Sequence, residues 1–185
     1  MKRRVDARRV RRKQSPRRRA IVIRVAMPWS LKHRSWVRVL RPQINAAARD
    51  ARSRLIARGA AKPGARVCEV RLMKAGAPGD LRSAIRTTVS RADILVFDLA
   101  SAPSSIDGNP NVLIELGMAL GLGRDSDIHV IRSEGRRRPN RPSDIAGLVV
   151  HGPADLRTGG SLHGLLREAV IRKWCEAIGT AGARR

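Results

Sequence analysis

Two acidic residues, Asp98 and Glu115, flank a polar stretch and are the residues of this sequence best suited to chemistry. A carboxylate beside the anomeric carbon of a sugar stabilises or captures the oxocarbenium-like state through which an N-glycosidic bond breaks, and Glu115 suits that role. Asp98 suits either protonation of a neutral leaving base or the binding of a ribose hydroxyl. The alternative is purely structural. Glu115 is then an ordinary carboxylate at a helix boundary, and Asp98 only ends a buried strand.

Both carboxylates belong to one strand, loop and helix that span residues 91–123. Residues 94–97 form an unbroken apolar run, which is typical of a strand buried on both faces of a parallel sheet. Asn109 is a good N-cap for a helix that runs to about residue 122 and stops at Gly123. In open α/β sheets ligands bind where such strands end, so we expect a site there.

The predicted helix has a polar and an apolar side besides the stripe that packs on the sheet. Asn111 lies four residues before Glu115, so we expect the amide and the carboxylate to meet near the start of the helix. An apolar strip on the outer face predicts self-association through this helix. The sheet-facing residues are Val112, Leu116, Ala119 and Leu120, and the outer strip is Ile114, Met118 and Leu122.

The rest of the chain continues the alternation of strands and helices. The patterns predict strands at residues 20–26, 66–72, 127–131 and 148–151, and helices at residues 41–58, from 81 onward, and 162–178. The predicted inward residues are Ile44, Ala48, Ala51, Leu55 and Ile56 in the first helix, and Leu165, Leu166, Ala169, Val170 and Trp174 in the last.

Five strands joined by helical crossovers predict an α/β fold of the flavodoxin-like, doubly wound type, with a parallel sheet in the order 2-1-3-4-5. In that order the first and third strands are neighbours at the topological switch point. The loop after the first strand and the loop at residues 98–111 then flank one crevice. The binding residues predicted for this crevice are Met27, Pro28, Trp29, Ser30, Asn109 and Asn111.

Composition predicts one domain, residues 20–178, between a basic disordered arm at residues 1–19 and a tail at residues 179–185. The net charge is +24, and the arm holds eleven Lys or Arg, so nucleic acid is a candidate partner for it. An extension with no binding role is the alternative. No apolar run reaches membrane-spanning length. Two cysteines without metal or redox spacing favour the reducing cytoplasm, and no histidine pair suggests a metal site.

Several motifs together resemble the TIR-like, nucleoside 2-deoxyribosyltransferase-like family of bacteria. The most specific is Asn-Pro-Asn-Val at residues 109–112 followed by Glu-Leu-Gly at residues 115–117. The others are Ala-Met-Pro-Trp-Ser at 26–30, Ala-Asp-Ile at 92–94, Asp-Leu at 98–99 and Pro-Ser-Asp-Ile-Ala-Gly at 142–147. The similarity covers residues 20–178.

The resemblance implies a nucleotide-binding domain that hydrolyses an N-glycosidic bond, with NAD as the leading substrate, no cofactor, and Glu115 as the catalytic glutamate. Several TIR-type relatives consume NAD in antiviral defence, so a defence effector is the implied setting, and a deoxyribosyltransferase is the related activity. Nicotinamide leaves NAD as a neutral base and needs no acid, so one carboxylate suffices. Two alternatives stay open, a nucleotide-sensing module without catalysis and a basic nucleic-acid-binding protein on the same scaffold.

Overall fold

The structure is a computed structural model and describes residues 20–27, 36–73, 81–99, 110–123, 127–131, 148–151 and 160–182. The strands are β1 (Ile21–Ala26), β2 (Cys68–Leu72), β3 (Ile94–Asp98), β4 (Ile128–Ile131) and β5 (Val149–His151). The helices are α1 (Arg41–Ala57), α2 (Leu81–Ser90), α3 (Pro110–Gly121) and α4 (Ser161–Gly182). A π-helical segment, Trp36–Leu40, leads directly into α1, and the sequence patterns did not predict it.

The strands pair in parallel in the order β2-β1-β3-β4-β5, with β5 a three-residue edge strand. The α/β class and the parallel sheet predicted from the sequence are confirmed, and the strands follow the predicted order. All five residues of β3 are buried, as expected for a strand with helices over both faces. At the opposite end, the Asp93 carboxylate accepts a hydrogen bond of 2.7 Å from the backbone N–H of Val22.

The helices divide into two layers, one on each face of the sheet. Residues of α1 and α4 share a core with alternate residues of β1 and β3, including Ile23 and Val96. Residues of α2 and α3 share the second core with the intervening β3 residues Leu95 and Phe97. Because side chains alternate between the two faces of a strand, each β3 residue belongs to one layer only.

Glycines follow two of the helices, and Gly123 stands where the sequence predicted a helix end. Gly59 follows α1 with a φ of 68°, and Gly123 follows α3 with a φ of 65°. This left-handed conformation favours glycine because it lacks a Cβ. Pro42 lies in the first turn of α1, a position that tolerates its missing N–H.

Three details of the predicted helices are wrong. Ala47 takes the buried place predicted for Ala48, whereas Ile56 is partly buried and packs against the core as predicted. Leu165 is 42% exposed, because the inward face of α4 includes Leu162 and Ile171 instead. α4 also continues to Gly182, past the boundary predicted at residue 178. No glycine beyond that boundary adopts a positive φ among the described residues, so nothing ends the helix there.

Ion pairs connect α4 to its neighbours. Lys173 Nζ lies 2.9 Å from Asp127 Oδ1, and Arg172 Nη2 lies 3.6 Å from the same oxygen. Asp127 directly precedes β4 and its side chain is buried, so these cations hold the helix over the start of that strand. Glu176, one turn further along α4, pairs with the same two cations at the surface.

α1 and α4 are joined along their length by polar contacts as well as by the core. His163 Nε2 lies 3.1 Å from Asp50 Oδ2, and Arg54 Nη1 lies 3.4 Å from Glu168 Oε1. Near the other end, the indole N–H of Trp174 donates a hydrogen bond of 3.0 Å to the carbonyl of Ala60. These contacts fix the layer that lies opposite α3.

Candidate functional site

The candidate site lies at the carboxyl ends of β1 and β3, which are neighbours in the sheet. Ala26 is level with Phe97 across the β1–β3 pair. Asp98 is level with Ile131 across the β3–β4 pair, and the N–H of Leu99 donates to the Ile131 carbonyl at 2.9 Å. The neighbouring strand ends therefore form the edge at which open α/β sheets bind ligands.

Glu115 is held over this edge by α3. The helix packs on β3 through Val112 and Leu116, which share a core with Phe97 and Leu99. Glu115 is the sixth residue of the helix, about 7.5 Å along its axis from the first at 1.5 Å per residue. It lies beside the buried stripe and is half-buried. The fold therefore places a carboxylate in the half of α3 nearer the site.

Burial raises the pKa of the Glu115 carboxyl to about 7, and no charged or hydrogen-bonding neighbour among the described residues contributes to the shift. The contact with Asn111 predicted from helical spacing is wrong. Glu115 makes no hydrogen bond or ion pair with any residue that the structure describes, and Asn111 is exposed on the helix surface. Spacing brings two side chains within reach but does not compel either to adopt the rotamer that joins them.

Glu115 differs in this respect from the other carboxylates in the described ranges. Each of those has a recorded interaction with another group. They are Asp50, Glu69, Asp93, Asp98, Asp127, Glu168 and Glu176. The chain has 39 Lys and Arg against 15 Asp and Glu, so cations outnumber carboxylates more than two to one. A half-buried carboxylate without one is a candidate for a functional group.

Asp98 ends β3 as predicted, but it is only 1% exposed. Ile94 and Val96 belong to the core of the α1–α4 layer, so strand alternation assigns Asp98 to that face. α3 and Glu115 lie over the other face. The two carboxylates are therefore at the same end of the sheet but belong to opposite layers.

The predicted binding residues are described only in part. Met27 follows β1 at the expected edge, but it is 8% exposed and packs in the core of the α1–α4 layer. Asn111 lies in the first turn of α3 and is exposed. The remaining predicted residues, Pro28, Trp29, Ser30 and Asn109, lie outside the described residues.

The outer strip of α3 is exposed at both ends. Ile114 is 57% exposed and Leu122 is 38% exposed, whereas Met118 between them packs partly against the core. Ile114 adjoins Glu115 in the sequence, so the strip begins next to the candidate carboxylate.

In the ranges that the structure describes, no cluster of His, Cys, Asp and Glu is arranged to hold a metal ion. No helix in those ranges has the length and apolar character needed to cross a membrane. When the chain is compared with known proteins, no protein-family model and no curated protein matches it. The resemblance to the TIR-like family therefore stays a prediction from the motif residues.

Sequence reasoning missed a concave surface between α1 and the edge strand β2. The available signal was the recurrence of polar residues along one side of α1, at Arg41, Asn45, Arg49 and Arg52. Only the packing of β2 beside that side of the helix turns them into a groove.

Proposed function

We propose that this chain hydrolyses the N-glycosidic bond of NAD or a related nucleotide, with Glu115 as the catalytic carboxylate. The observation that carries the proposal is a half-buried glutamate in the second turn of α3 that has no ion pair or hydrogen bond with any described residue, and whose pKa is raised by burial. It lies in the part of an α/β fold where ligands bind. The resemblance of the motif residues to the TIR-like family supports the N-glycosidic bond as the bond that is broken and NAD as the substrate.

The reaction requires only one carboxylate. The bond between the ribose C1′ and the pyridinium nitrogen breaks, and its electron pair goes to that nitrogen, so nicotinamide leaves as a neutral molecule. Ionised Glu115 stabilises the positive charge that develops on the ribose. Water then adds to C1′ and releases a proton, which leaves ADP-ribose, nicotinamide and one proton as products.

The placement of Asp98 favours NAD over a neutral nucleoside. A neutral nucleoside needs an acid to protonate its leaving base. Asp98 is almost fully buried and belongs to the opposite layer, so it is poorly placed to supply that proton to a ligand beside Glu115. A cationic leaving group removes the requirement, and the positive charge of the bound nicotinamide also favours the ionised form of Glu115.

The test is incubation of the purified full chain with NAD and with a panel of neutral nucleosides, followed by chromatography for the free base. We expect nicotinamide from NAD and little release from the nucleosides. Glu115→Gln keeps the side-chain shape and removes the charge, so turnover of NAD should fall about a hundredfold to a thousandfold. Glu168→Gln, an exposed change on α4, is the matched control and should leave the rate unchanged.

The outcomes also separate the alternative functions. Nucleotide binding without any base release would replace the proposal with a nucleotide-sensing module. Failure to bind nucleotides, together with tight and salt-sensitive binding of nucleic acid, would favour a basic nucleic-acid-binding protein. Asp98→Asn should have little effect on NAD cleavage, and a large loss would place Asp98 in the site.

We further propose that the outer strip of α3 forms an interface with a second copy of the chain. Ile114 and Leu122 are exposed apolar residues at helical spacing beside the candidate carboxylate, and pairing two copies would cover them. Light scattering at tens of micromolar should show a dimer or larger species that Ile114→Glu dissociates. The matched change Leu165→Glu, at an exposed leucine of α4, should not dissociate it. A monomeric parent chain would contradict this proposal.

A further inference from the structure

A groove runs between α1 and the edge strand β2, away from α3 and its carboxylate. It has a volume of about 490 Å³ and is partly open to solvent. One wall is the side of α1 that carries Arg41, Asn45, Arg49 and Arg52, and the other is the segment that leads into β2. β2 pairs only with β1 in the described sheet, so its other edge borders this groove.

The groove has an excess of positive charge. Arg41 and Arg49 are exposed and form no ion pair or hydrogen bond with a described residue. On the facing wall, Arg66 lies 3.4 Å from Glu69, the acidic residue of the lining. Arg41 and Arg49 are thus two guanidinium groups without anionic partners in a concave surface, which is the arrangement that binds phosphate.

Arg52 has a different role in the groove. Its guanidinium donates a 3.2 Å hydrogen bond to the Ala65 carbonyl and a second, short one to the carbonyl of Pro63. These bonds fasten the segment before β2 to α1. Arg52 therefore maintains the shape of the groove and is unsuitable for a test of binding.

The length of the groove exceeds what one phosphate needs. Arg52 lies eleven positions after Arg41, which corresponds to about 16 Å along the helix axis. That distance equals about five stacked nucleotides at 3.4 Å each. The lining has no aromatic residue on which a base would stack, so contacts to the backbone must dominate.

We propose that this groove binds the phosphate backbone of single-stranded nucleic acid, without reading its sequence. A trough between a helix and a strand edge accommodates one strand more readily than a duplex. Addition of a peptide strand to β2 fits less well, because the exposed and charged Arg71 of this edge strand opposes strand pairing. The inference is independent of the glycosidic chemistry assigned to Glu115.

The one thiol that lines the groove is not suited to nucleophilic catalysis. Cys68 is its one thiol among the lining residues, and burial raises the pKa of that thiol to about 12. It therefore stays protonated at physiological pH and is a poor nucleophile.

The test compares two double variants of the full chain by fluorescence anisotropy with a labelled oligothymidylate over a range of salt concentrations. Arg41→Ala with Arg49→Ala removes the two unpaired groove cations. Arg82→Ala with Arg86→Ala removes two exposed cations from α2 and is matched in charge. The basic residues 1–19 are present in every protein, so their contribution is common to all. Denaturation by urea confirms that each variant is folded.

We expect the groove variant to bind more weakly at low salt. Its plot of log affinity against log salt should be flatter by about 1.4, since each phosphate contact to a single strand contributes roughly 0.7. The α2 variant should keep the parent slope. Equal slopes in both variants would overturn the proposal, because net charge alone would explain the binding.

Two further measurements separate the competing ligands and the two sites. Stronger binding of a polyglutamate peptide than of the oligonucleotide, lost in the groove variant, would assign the groove to an acidic protein partner instead. If ATP displaced the labelled oligonucleotide as effectively as unlabelled oligonucleotide does, the ligand would be a single nucleotide. That result would overturn the proposal that the groove binds a strand of several nucleotides. Glu115→Gln should bind the oligonucleotide like the parent, so failure of the hydrolysis proposal leaves this result interpretable.

Discussion

Asp127 and Glu115 are both withdrawn from water, but their surroundings differ. Asp127 lies at the start of β4 with Lys173 at 2.9 Å and Arg172 at 3.6 Å. Glu115 lies on α3 with no described cation or hydrogen-bond donor beside it, and burial raises its pKa to about 7. The fold thus compensates the first charge and leaves the second uncompensated.

This difference between Asp127 and Glu115 distinguishes the α1–α4 layer, where carboxylates stabilise the fold, from α3, to which we assign the functional carboxylate. In the α1–α4 layer, carboxylates face cations across helices and strands, and removing either partner leaves a charge poorly solvated. At α3 the carboxylate itself is the destabilising group, since ionisation costs more there than in water. Glu115 lowers the stability of the fold and contacts no described structural partner. Its presence is explained if a bound ligand supplies the positive charge that stabilises the ionised carboxylate.

The largest stability change that distinguishes the two regions is expected at Asp127. Asp127→Ala removes a buried carboxylate and leaves Lys173 and Arg172 without that partner over the sheet. We expect the free energy of unfolding in urea to fall by about 2 to 3 kcal/mol. A change below about 0.5 kcal/mol would show that solvent and Glu176 are sufficient partners for these cations. Asp127 would then not be a carboxylate that the fold requires, and the contrast with Glu115 would not hold.

Glu115→Gln should change stability in the opposite direction. The folded-state pKa is raised, so the folded chain holds a proton that the unfolded chain releases between about pH 4.5 and 7. Stability from this group is therefore present at low pH and is lost as the pH rises through about 7. The variant should gain about 1 to 2 kcal/mol at pH 8, after allowance for partial exposure, and almost nothing at pH 4. Destabilisation at pH 8 would indicate that Glu115 has a structural partner.

The smallest effect is expected at the surface pair of Glu168 and Arg54. Both side chains are about half exposed, so the 3.4 Å ion pair is largely screened by solvent. Glu168→Gln should change the free energy of unfolding by less than about 0.5 kcal/mol at any pH between 5 and 8. A larger loss would mean that the ion pairs of α1 and α4 act as a network, and this variant would no longer serve as a neutral control for Glu115.

The sequence predicted the framework of the site better than its contacts. Apolar runs and glycine stops located β3 and α3 because buried strands and helix ends have local signatures. The rotamer of Glu115 and the face of Asp98 depend on how α3 and the two layers pack on the sheet. No local pattern contains that information, so the predicted contact with Asn111 was wrong.

Tertiary packing also decided which residues of two helices are buried. The spacing of Ala47 and Ala48 is equally compatible with one apolar stripe, and the packing of α1 on the sheet buries Ala47. Ala48 instead lines the groove beside Arg41 and Arg52. Leu165 is exposed for the same reason, because α4 presents the neighbouring residues Leu162 and Leu166 to the core.

The pH dependence of kcat/KM for release of nicotinamide from NAD, measured in the parent chain and in Glu115→Gln, tests the assignment of Glu115 most directly. This ratio reports ionisation in the free enzyme, and the ionised carboxylate is the active form, so activity should rise through about pH 7 and then level off. The Glu115→Gln profile should lie at least about a hundredfold lower and lack that rise. Cleavage by the variant at the parent rate, or a parent profile that falls as the pH rises through 7, would contradict the role assigned to Glu115.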